Sequence, residues 1–206
     1  MDGKSNKQGL SLFDKFIKRS FDLVFSLLGL IFFSWLIILA FVIASIETKS
    51  NGFFIQKRVG KDGKIFNVIK IKTMKPVKGL NSTVTTSNDL RITKSGKFFR
   101  KTKIDELPQL INVLLGQMSF VGPRPDVPGY ADKLVGEDRI ILSVRPGITG
   151  PATIKYRNEE ELLARVEDPE KYNKEVIYPD KVRINKEYVQ NYSFWKDIMY
   201  IIKTIF

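Results

Sequence analysis

The stretch from Leu23 to Ile46 constrains this chain most, because it carries no charged residue over 24 positions. A helix rises about 1.5 Å per residue, so this stretch reaches across a hydrocarbon core of roughly 30 Å. It predicts a membrane segment, preceded by a basic segment (1–22) and followed by one compact domain (47–206). A signal peptide and a fully buried core helix are the alternatives, although the apolar run is long and no small-residue cleavage site follows it.

Basic residues flank the membrane segment on both sides: Lys15, Lys18 and Arg19 before it, and Lys49, Lys57, Arg58 and Lys61 after it. Loops rich in Lys and Arg stay on the cytoplasmic side of a membrane. A re-entrant helix satisfies both flanks, whereas a simple span misplaces one of them. Gly29 and Ser34 are the local candidates for the turn that re-entry needs.

The chain contains neither His nor Cys, which narrows its chemistry. Catalysis by Ser-His-Asp or Cys-His groups, zinc bound by His or Cys, and thiol redox chemistry are excluded. Carboxylate, Lys, Arg, Tyr and hydroxyl chemistry remains, with a hard metal such as magnesium if a metal takes part. The net charge of +12 predicts an anionic partner, namely phosphate, acidic lipid or nucleic acid.

The part after the membrane segment predicts a mixed α/β (α+β) domain that is mainly helical. The Ile-, Val- and Phe-rich stretch 53–74, broken at 61–64, predicts a β-hairpin. Its second strand places Lys70 and Lys72 on one face, which also suits a plain solvated face. The Ser-, Thr- and Asn-rich stretch 79–89 predicts a loop beside the site, and the basic stretch 94–103 predicts a solvated helix face.

Two neighbouring carboxylates, Asp105 and Glu106, precede a short helical pattern. Apolar residues recur at helical spacing after them, at Leu107, Leu110, Ile111 and Leu114. Asp105 stands where an N-cap is expected, Pro108 suits only a first turn, and Gly116 suits a helix stop. The pair is therefore predicted at a helix N-terminus, where amide groups also favour a bound phosphate.

Two arginines lie in loops stiffened by proline and glycine. Arg124 stands between Pro123 and Pro125, and Arg145 opens the stretch 145–151. A guanidinium held in this way suits bidentate phosphate binding, although an exposed arginine in a turn is the simpler alternative. Near the C-terminus, Tyr188, Tyr192, Trp195, Ile198, Met199, Ile202 and Ile205 form one helical stripe, which predicts an interfacial amphipathic helix or a core helix.

The chain carries six motifs in this order: KRSFDLVFSLL, QKRVGKDGKIF, VIKIKTM, FFRKTKIDELPQLINVLLGQMSFVGPRPD, SVRPGITGP and YVQNYSFWKDI. Through these motifs the chain resembles the bacterial sugar transferase family, the small monotopic phosphoglycosyl transferases. The resemblance runs from Lys18 to about Phe206. It implies transfer of a sugar 1-phosphate from a UDP-sugar to a polyprenyl (undecaprenyl) phosphate, with release of UMP. It also implies a catalytic domain on the cytoplasmic face of the bacterial inner membrane, a role in the first membrane step of glycan assembly, and no nucleic-acid partner.

The same resemblance assigns roles to individual residues. It implies that Asp105 is the nucleophile that forms a covalent aspartyl phosphosugar, and that Glu106 binds Mg²⁺. It implies that Lys70, Arg100, Arg124 and Arg145 surround the substrate phosphates. The chain departs from the family pattern at Ser34-Trp35, where members carry Ser-Pro, and this departure leaves a spanning helix as the alternative to re-entry.

Two other functions account for parts of the pattern. A membrane-tethered basic module that binds acidic lipid or nucleic acid through residues 94–103 accounts for the charge and the anchor, but gives no role to the paired carboxylates. A lipid-linked hydrolase would direct the same carboxylates at water.

Overall fold

The structure is a computed structural model that describes residues 9–75 and 89–206. The described residues form α1 (Leu12–Thr48), β1 (Phe53–Val59), β2 (Ile65–Ile71), α2 (Lys94–Thr102), α3 (Gln109–Leu114), β3 (Ser119–Val121), β4 (Gly147–Thr149), α4 (Pro151–Lys155), α5 (Glu159–Leu163), α6 (Pro169–Tyr172), α7 (Tyr178–Gln190) and α8 (Phe194–Ile205). The predicted class, mainly helical with a small sheet, is confirmed. The predicted loop 79–89 lies outside the described residues except for Asp89.

Helix α1 begins at a capping box and runs without a break. The Ser11 side chain accepts from the Asp14 amide, and the Asp14 side chain accepts from the Ser11 amide. The expected interruption at Gly29 or Ser34 does not occur, since the helix continues to Thr48. Both residues keep their amide N–H, so neither removes a hydrogen bond from the helix as proline would. The re-entrant topology stays a prediction.

One face of α1 packs against the rest of the fold near both ends of the helix. The buried residues form two runs with a spacing of three or four positions, separated by a gap of eleven: Lys18, Asp22 and Ser26, then Ile37, Ala40, Ala44 and Thr48. The other faces carry exposed apolar side chains, and only 17% of the most apolar 18-residue stretch is buried. The helix is therefore long and apolar enough to cross a membrane, and it is not a core helix buried on all sides.

The predicted hairpin is confirmed. Strands β1 and β2 pair antiparallel, with Phe53 opposite Ile71 and Val59 opposite Ile65. Both faces of β2 are covered, because Ile71 packs against Ala40 of α1 while Val68 packs against Val113 of α3. The strand therefore lies between the long helix and the short one.

A parallel pair of strands, β3 and β4, joins the two proline- and glycine-rich loops. Ser119 lies opposite Gly147, and the Gly122 amide donates to the Thr149 carbonyl over 2.9 Å. A Cβ on Gly122 would lie 2.4 Å from the Arg145 carbonyl oxygen, and one on Gly147 would lie 2.1 Å from the Gly122 nitrogen. Both positions consequently require glycine for the backbones to approach so closely.

The C-terminal stripe belongs to two helices, so the prediction of one continuous helix is wrong. Helix α7 ends at Gln190, and α8 begins after Ser193, whose extended backbone (φ −153°) interrupts the helical path. Tyr188 of α7 is buried in the core, whereas Trp195 and Ile202 of α8 are exposed. The α7 part of the stripe thus matches the predicted core helix. The exposed α8 part matches the alternative, an amphipathic helix.

Candidate active site

The two carboxylates lie in a 3-10 turn, Ile104–Glu106, between α2 and α3. The turn follows Lys103, which has a positive φ of 59°, and the Glu106 amide donates to the Lys103 carbonyl over 3.1 Å. Asp105 is therefore not an N-cap, which corrects the prediction. Helix α3 starts four residues later, after Pro108. The predicted stop is confirmed at Gly116, which has a positive φ of 76°.

Glu106 is held by two cations from different elements. Its Oε1 atom accepts from Lys70 Nζ of β2 over 3.0 Å and from the Arg124 guanidinium over 2.5 Å. Burial alone would raise the pKa of this carboxyl, but Arg124 and Lys70 hold the pKa well below its usual value. Glu106 is therefore ionised and fixed in place. The solvated-face alternative is wrong for Lys70, whose side chain is only 18% exposed.

Asp105 has the opposite environment. It is buried, and its Oδ1 atom has no hydrogen-bond partner in the described part of the chain. Burial first, and then the neighbouring charge of Glu106, raise the pKa of Asp105 to about 6. One carboxylate is thus neutralised by cations, while the other keeps an oxygen free for a reacting group.

The Arg124 loop is supported by residues that the sequence did not single out. Arg58 of β1 donates to the Pro125 carbonyl over 3.0 Å, and the Val59 amide donates to the Asp126 carbonyl over 2.9 Å. Burial and the nearby Arg124 charge lower the pKa of Arg58 to about 10, and burial raises the pKa of Asp126 to about 6. Arg58 appeared in the sequence only as one of several flanking basic residues.

Arg100 lies on the α2 side of the same region and pairs with Glu160 of α5. It acts electrostatically on Asp105, whose carboxylate it helps to stabilise. The neighbouring Glu159 pairs with Lys181 over 2.6 Å and contributes to the field at Arg124. The acidic helix α5 therefore lies beside the cations of the site.

Arg145 is not brought to the carboxylate pair. Its Nε atom donates to the Gly116 carbonyl over 2.7 Å, at the opposite end of α3 from Asp105. Arg19 bonds the last carbonyls of the same helix, those of Val113 and Leu114. Of the four predicted substrate-binding cations, Lys70, Arg100 and Arg124 surround the acidic pair, whereas Arg145 lies with Arg19 at the far end of α3, where both bond backbone carbonyls.

The described residues contain no group of three or more acidic side chains that would cage a metal. Magnesium does not need such a cage, because it is usually held by one or two carboxylates together with substrate phosphates. Both hydrogen bonds to Glu106 go to Oε1, and Asp105 Oδ1 is free. The donor set consequently fits a metal that arrives with a diphosphate.

Comparison with known proteins shows the family to which the chain is similar. The family model described as bacterial sugar transferase matches residues 13–206. The UDP-glucose:undecaprenyl-phosphate glucose-1-phosphate transferase of Escherichia coli (strain K12) is 35% identical over 203 residues, which cover 96% of this chain and 41% of that protein. The exopolysaccharide production protein ExoY of Rhizobium meliloti (strain 1021) is 32% identical over 205 residues, covering 91% of this chain and 83% of that protein.

A third relative differs in its sugar. It is the UDP-N-acetylgalactosamine-undecaprenyl-phosphate N-acetylgalactosaminephosphotransferase of Aeromonas hydrophila, 32% identical over 196 residues, which cover 92% of this chain and 43% of that protein. The chain therefore spans about two fifths of the length of the Escherichia and Aeromonas relatives. Since the family model covers nearly the whole sequence, this chain belongs to the bacterial sugar transferase family.

Proposed function

We propose that the chain transfers a sugar 1-phosphate from a UDP-sugar to a polyprenyl phosphate through a covalent intermediate on Asp105. The observation that carries the proposal is the asymmetry of the acidic pair. Glu106 is paired through one oxygen, Oε1, with Lys70 and Arg124, whereas Asp105 is buried with an unpartnered oxygen and a raised pKa. A carboxylate of higher pKa is the better nucleophile, and a pKa near 6 still leaves it about 90% ionised at pH 7.

In the first step, an Asp105 oxygen attacks the sugar-linked phosphorus, and the bond from that phosphorus to the UMP oxygen breaks. UMP leaves with the bonding electron pair, and no proton has to move. In the second step, an oxygen of the lipid phosphate attacks the same phosphorus and displaces the Asp105 carboxylate. This carboxylate chemistry needs no histidine, in keeping with the composition of the chain.

Lys70, Arg124 and Arg100 would bind the phosphate oxygens during both steps. Their charges offset the negative charge that gathers when a carboxylate and a lipid phosphate approach a diphosphate. Glu106 would hold Mg²⁺ through its second oxygen, and the metal would supply charge neutralisation on the diphosphate. Glu106 also keeps Lys70 and Arg124 at the edge of the site before substrate enters.

Contacts at both ends of α1 support a catalytic domain that stays on one side of the membrane. Near the start of α1, Lys18 pairs with Asp197 of α8 over 2.5 Å. Near its end, Glu47 accepts from the backbone amide of Lys94 over 3.1 Å and from the Ser95 hydroxyl. A helix tied at both ends to one charged domain favours re-entry over a simple span.

The decisive experiment mixes purified protein with a UDP-sugar panel and Mg²⁺, first without and then with polyprenyl phosphate. Without lipid, we expect one equivalent of UMP per active protein and a mass increase of one sugar phosphate on the peptide that contains Asp105. Adding lipid should restart UMP release and remove the mass increase. The relatives act on different UDP-sugars by name, so the panel includes UDP-glucose, UDP-galactose and UDP-N-acetylgalactosamine.

The matched controls are two carboxylate variants of the same region. Asp105→Asn should abolish both the UMP burst and the adduct, whereas Asp126→Asn, which alters another carboxylate of raised pKa, should retain the adduct. An adduct that survives in Asp105→Asn would identify a different nucleophile. Continuous UMP release without lipid would indicate hydrolysis, and no release with any sugar would favour a binding module.

A further inference from the structure

A pocket lies away from the acidic pair, at the far end of α3. It is formed where the start of α1, the turn between β1 and β2, and the segment before β4 meet. Its polar lining consists of Lys15, Lys18, Asp22, Lys61, Ser119, Ser143 and Arg145. The described lining therefore combines four cations and two hydroxyls with one carboxylate.

Three of these cations have unused donors. Lys18 is committed to Asp197 over 2.5 Å, but no ion pair or side-chain hydrogen bond engages Lys15 or Lys61 within the described residues. Arg145 uses only Nε, on the Gly116 carbonyl, which leaves its two terminal amino groups without a partner there. Positive groups that converge without counterions raise the local potential and attract an anion.

The pocket is lined by two residues with a buried polar atom that has no hydrogen-bond partner among the described residues. The Ser143 hydroxyl is buried and has no partner among the described residues, although buried hydroxyls are normally hydrogen-bonded. Asp22 accepts at Oδ1 from the Ser119 hydroxyl and the Phe120 amide, each over 3.0 Å, while its Oδ2 is buried and unpartnered. One carboxylate against three unpaired cations leaves the pocket positive.

The surroundings of the pocket are apolar in a way that suits a lipid. Leu12, Phe13 and Phe16 beside Lys15 are 85%, 70% and 71% exposed. The uncharged stretch of α1 begins at Leu23, about two helical turns beyond Lys15. If α1 enters a bilayer at this point, the pocket opens at the depth of the headgroups, and the exposed aromatic side chains lie beside the acyl chains.

We propose that this pocket binds the phosphate headgroup of an anionic membrane lipid. Lys15, Lys61 and the terminal amino groups of Arg145 hold the phosphate oxygens, and the Ser143 hydroxyl donates to one of them. The site is separate from the catalytic phosphate site, because α3 lies between Arg145 and Asp105. It anchors the start of α1 against the domain through a lipid.

The test measures the thermal stability of the full chain in an uncharged detergent while phosphatidylglycerol is added. Phosphatidylglycerol should stabilise the wild type more than phosphatidylcholine does. The Lys15→Gln/Lys61→Gln double variant should need about 25-fold more phosphatidylglycerol for half of the effect, at roughly fivefold for each lysine lost. Either single variant alone should show the fivefold change, which keeps the test valid if the double variant folds poorly.

A matched control removes the same charge elsewhere. Lys171→Gln/Lys174→Gln changes two exposed lysines outside the pocket and should bind phosphatidylglycerol as the wild type does. Equal losses in both double variants, or no loss in the pocket variant, would overturn the proposal. Stabilisation by inorganic phosphate at the concentration at which the lipid acts would assign the pocket to a free anion and overturn the lipid assignment.

Discussion

Replacing Asp105 with Asn should stabilise the fold at neutral pH while it abolishes transfer. Burial first, and the charge of Glu106 second, raise the pKa of Asp105 from 3.8 to about 6. A shift of about two units corresponds to about 3 kcal/mol, the cost of keeping this carboxylate ionised in the folded state. Asp105 is only 7% exposed, and its unpartnered Oδ1 loses no hydrogen bond in the variant.

The sign of the effect follows from the direction of the shift. Because the folded state binds the Asp105 proton more tightly than the unfolded state does, ionisation destabilises the wild type as pH rises. The cost is absent well below pH 4, develops between about pH 4 and 6, and is complete above pH 6. Asparagine carries no charge at any of these values, so the advantage of Asp105→Asn grows over the same interval.

Thermal melting in an uncharged detergent with a chelator measures this difference without bound metal. At pH 7.5 an advantage of up to about 3 kcal/mol corresponds to a melting temperature roughly 6–12 °C higher for a chain of this size. At pH 4.5 the advantage should fall to about 1 kcal/mol. The exposed control Glu161→Gln should show no such pH dependence. A less stable Asn variant at pH 7.5, or an equal gain at both pH values, would refute the reasoning.

Three further variants test contacts around the acidic pair and between α1 and α8. Glu160→Gln removes the partner of Arg100. Under the proposed function it should lower the KM for the UDP-sugar several-fold in steady-state assays, since the substrate phosphate no longer competes with a carboxylate, and an unchanged KM would contradict this role. Lys18→Ala leaves Asp197 buried without its cation and should lower the free energy of unfolding by about 3–5 kcal/mol in a denaturant titration. A loss below about 1 kcal/mol would contradict a stabilising role for this ion pair. Gly122→Ala places a Cβ 2.4 Å from the Arg145 carbonyl oxygen, so the two backbones must move apart. The variant should lower both the melting temperature and kcat. A wild-type kcat would show that the loop carrying Arg124 tolerates this backbone movement.

Local signals predicted the elements that depend on neighbours in the chain. The hairpin at 53–74 was predictable because a glycine-containing turn separates two β-rich runs, and the end of α3 at Gly116 because glycine adopts positive φ at little cost. The break before α8 was not predictable from periodicity. The apolar residues keep their helical spacing across a short interruption, so their pattern gave no sign of the extended backbone at Ser193.

The candidate site was predictable only in part, because its side chains come from distant segments. Asp105, Glu106 and Arg124 stood out as an acidic pair and as a stiffly held arginine. The alternative of a solvated strand face suited Lys70 equally well until the fold placed β2 beside the acidic pair. Arg145 looked like Arg124 in sequence, yet the parallel strands β3 and β4 direct it to the other end of α3.

The sequence by itself determined which reactive side chains this protein has, namely carboxylates and cations without histidine or cysteine. It also determined that one uncharged segment is long enough to cross a membrane. Composition and segment length are properties of the chain, so folding does not alter them. The tertiary structure alone decided which carboxylate is neutralised and which keeps a free oxygen. That difference arises from burial and from charges 18 and 36 residues away along the chain, which only packing brings within hydrogen-bonding distance of Glu106.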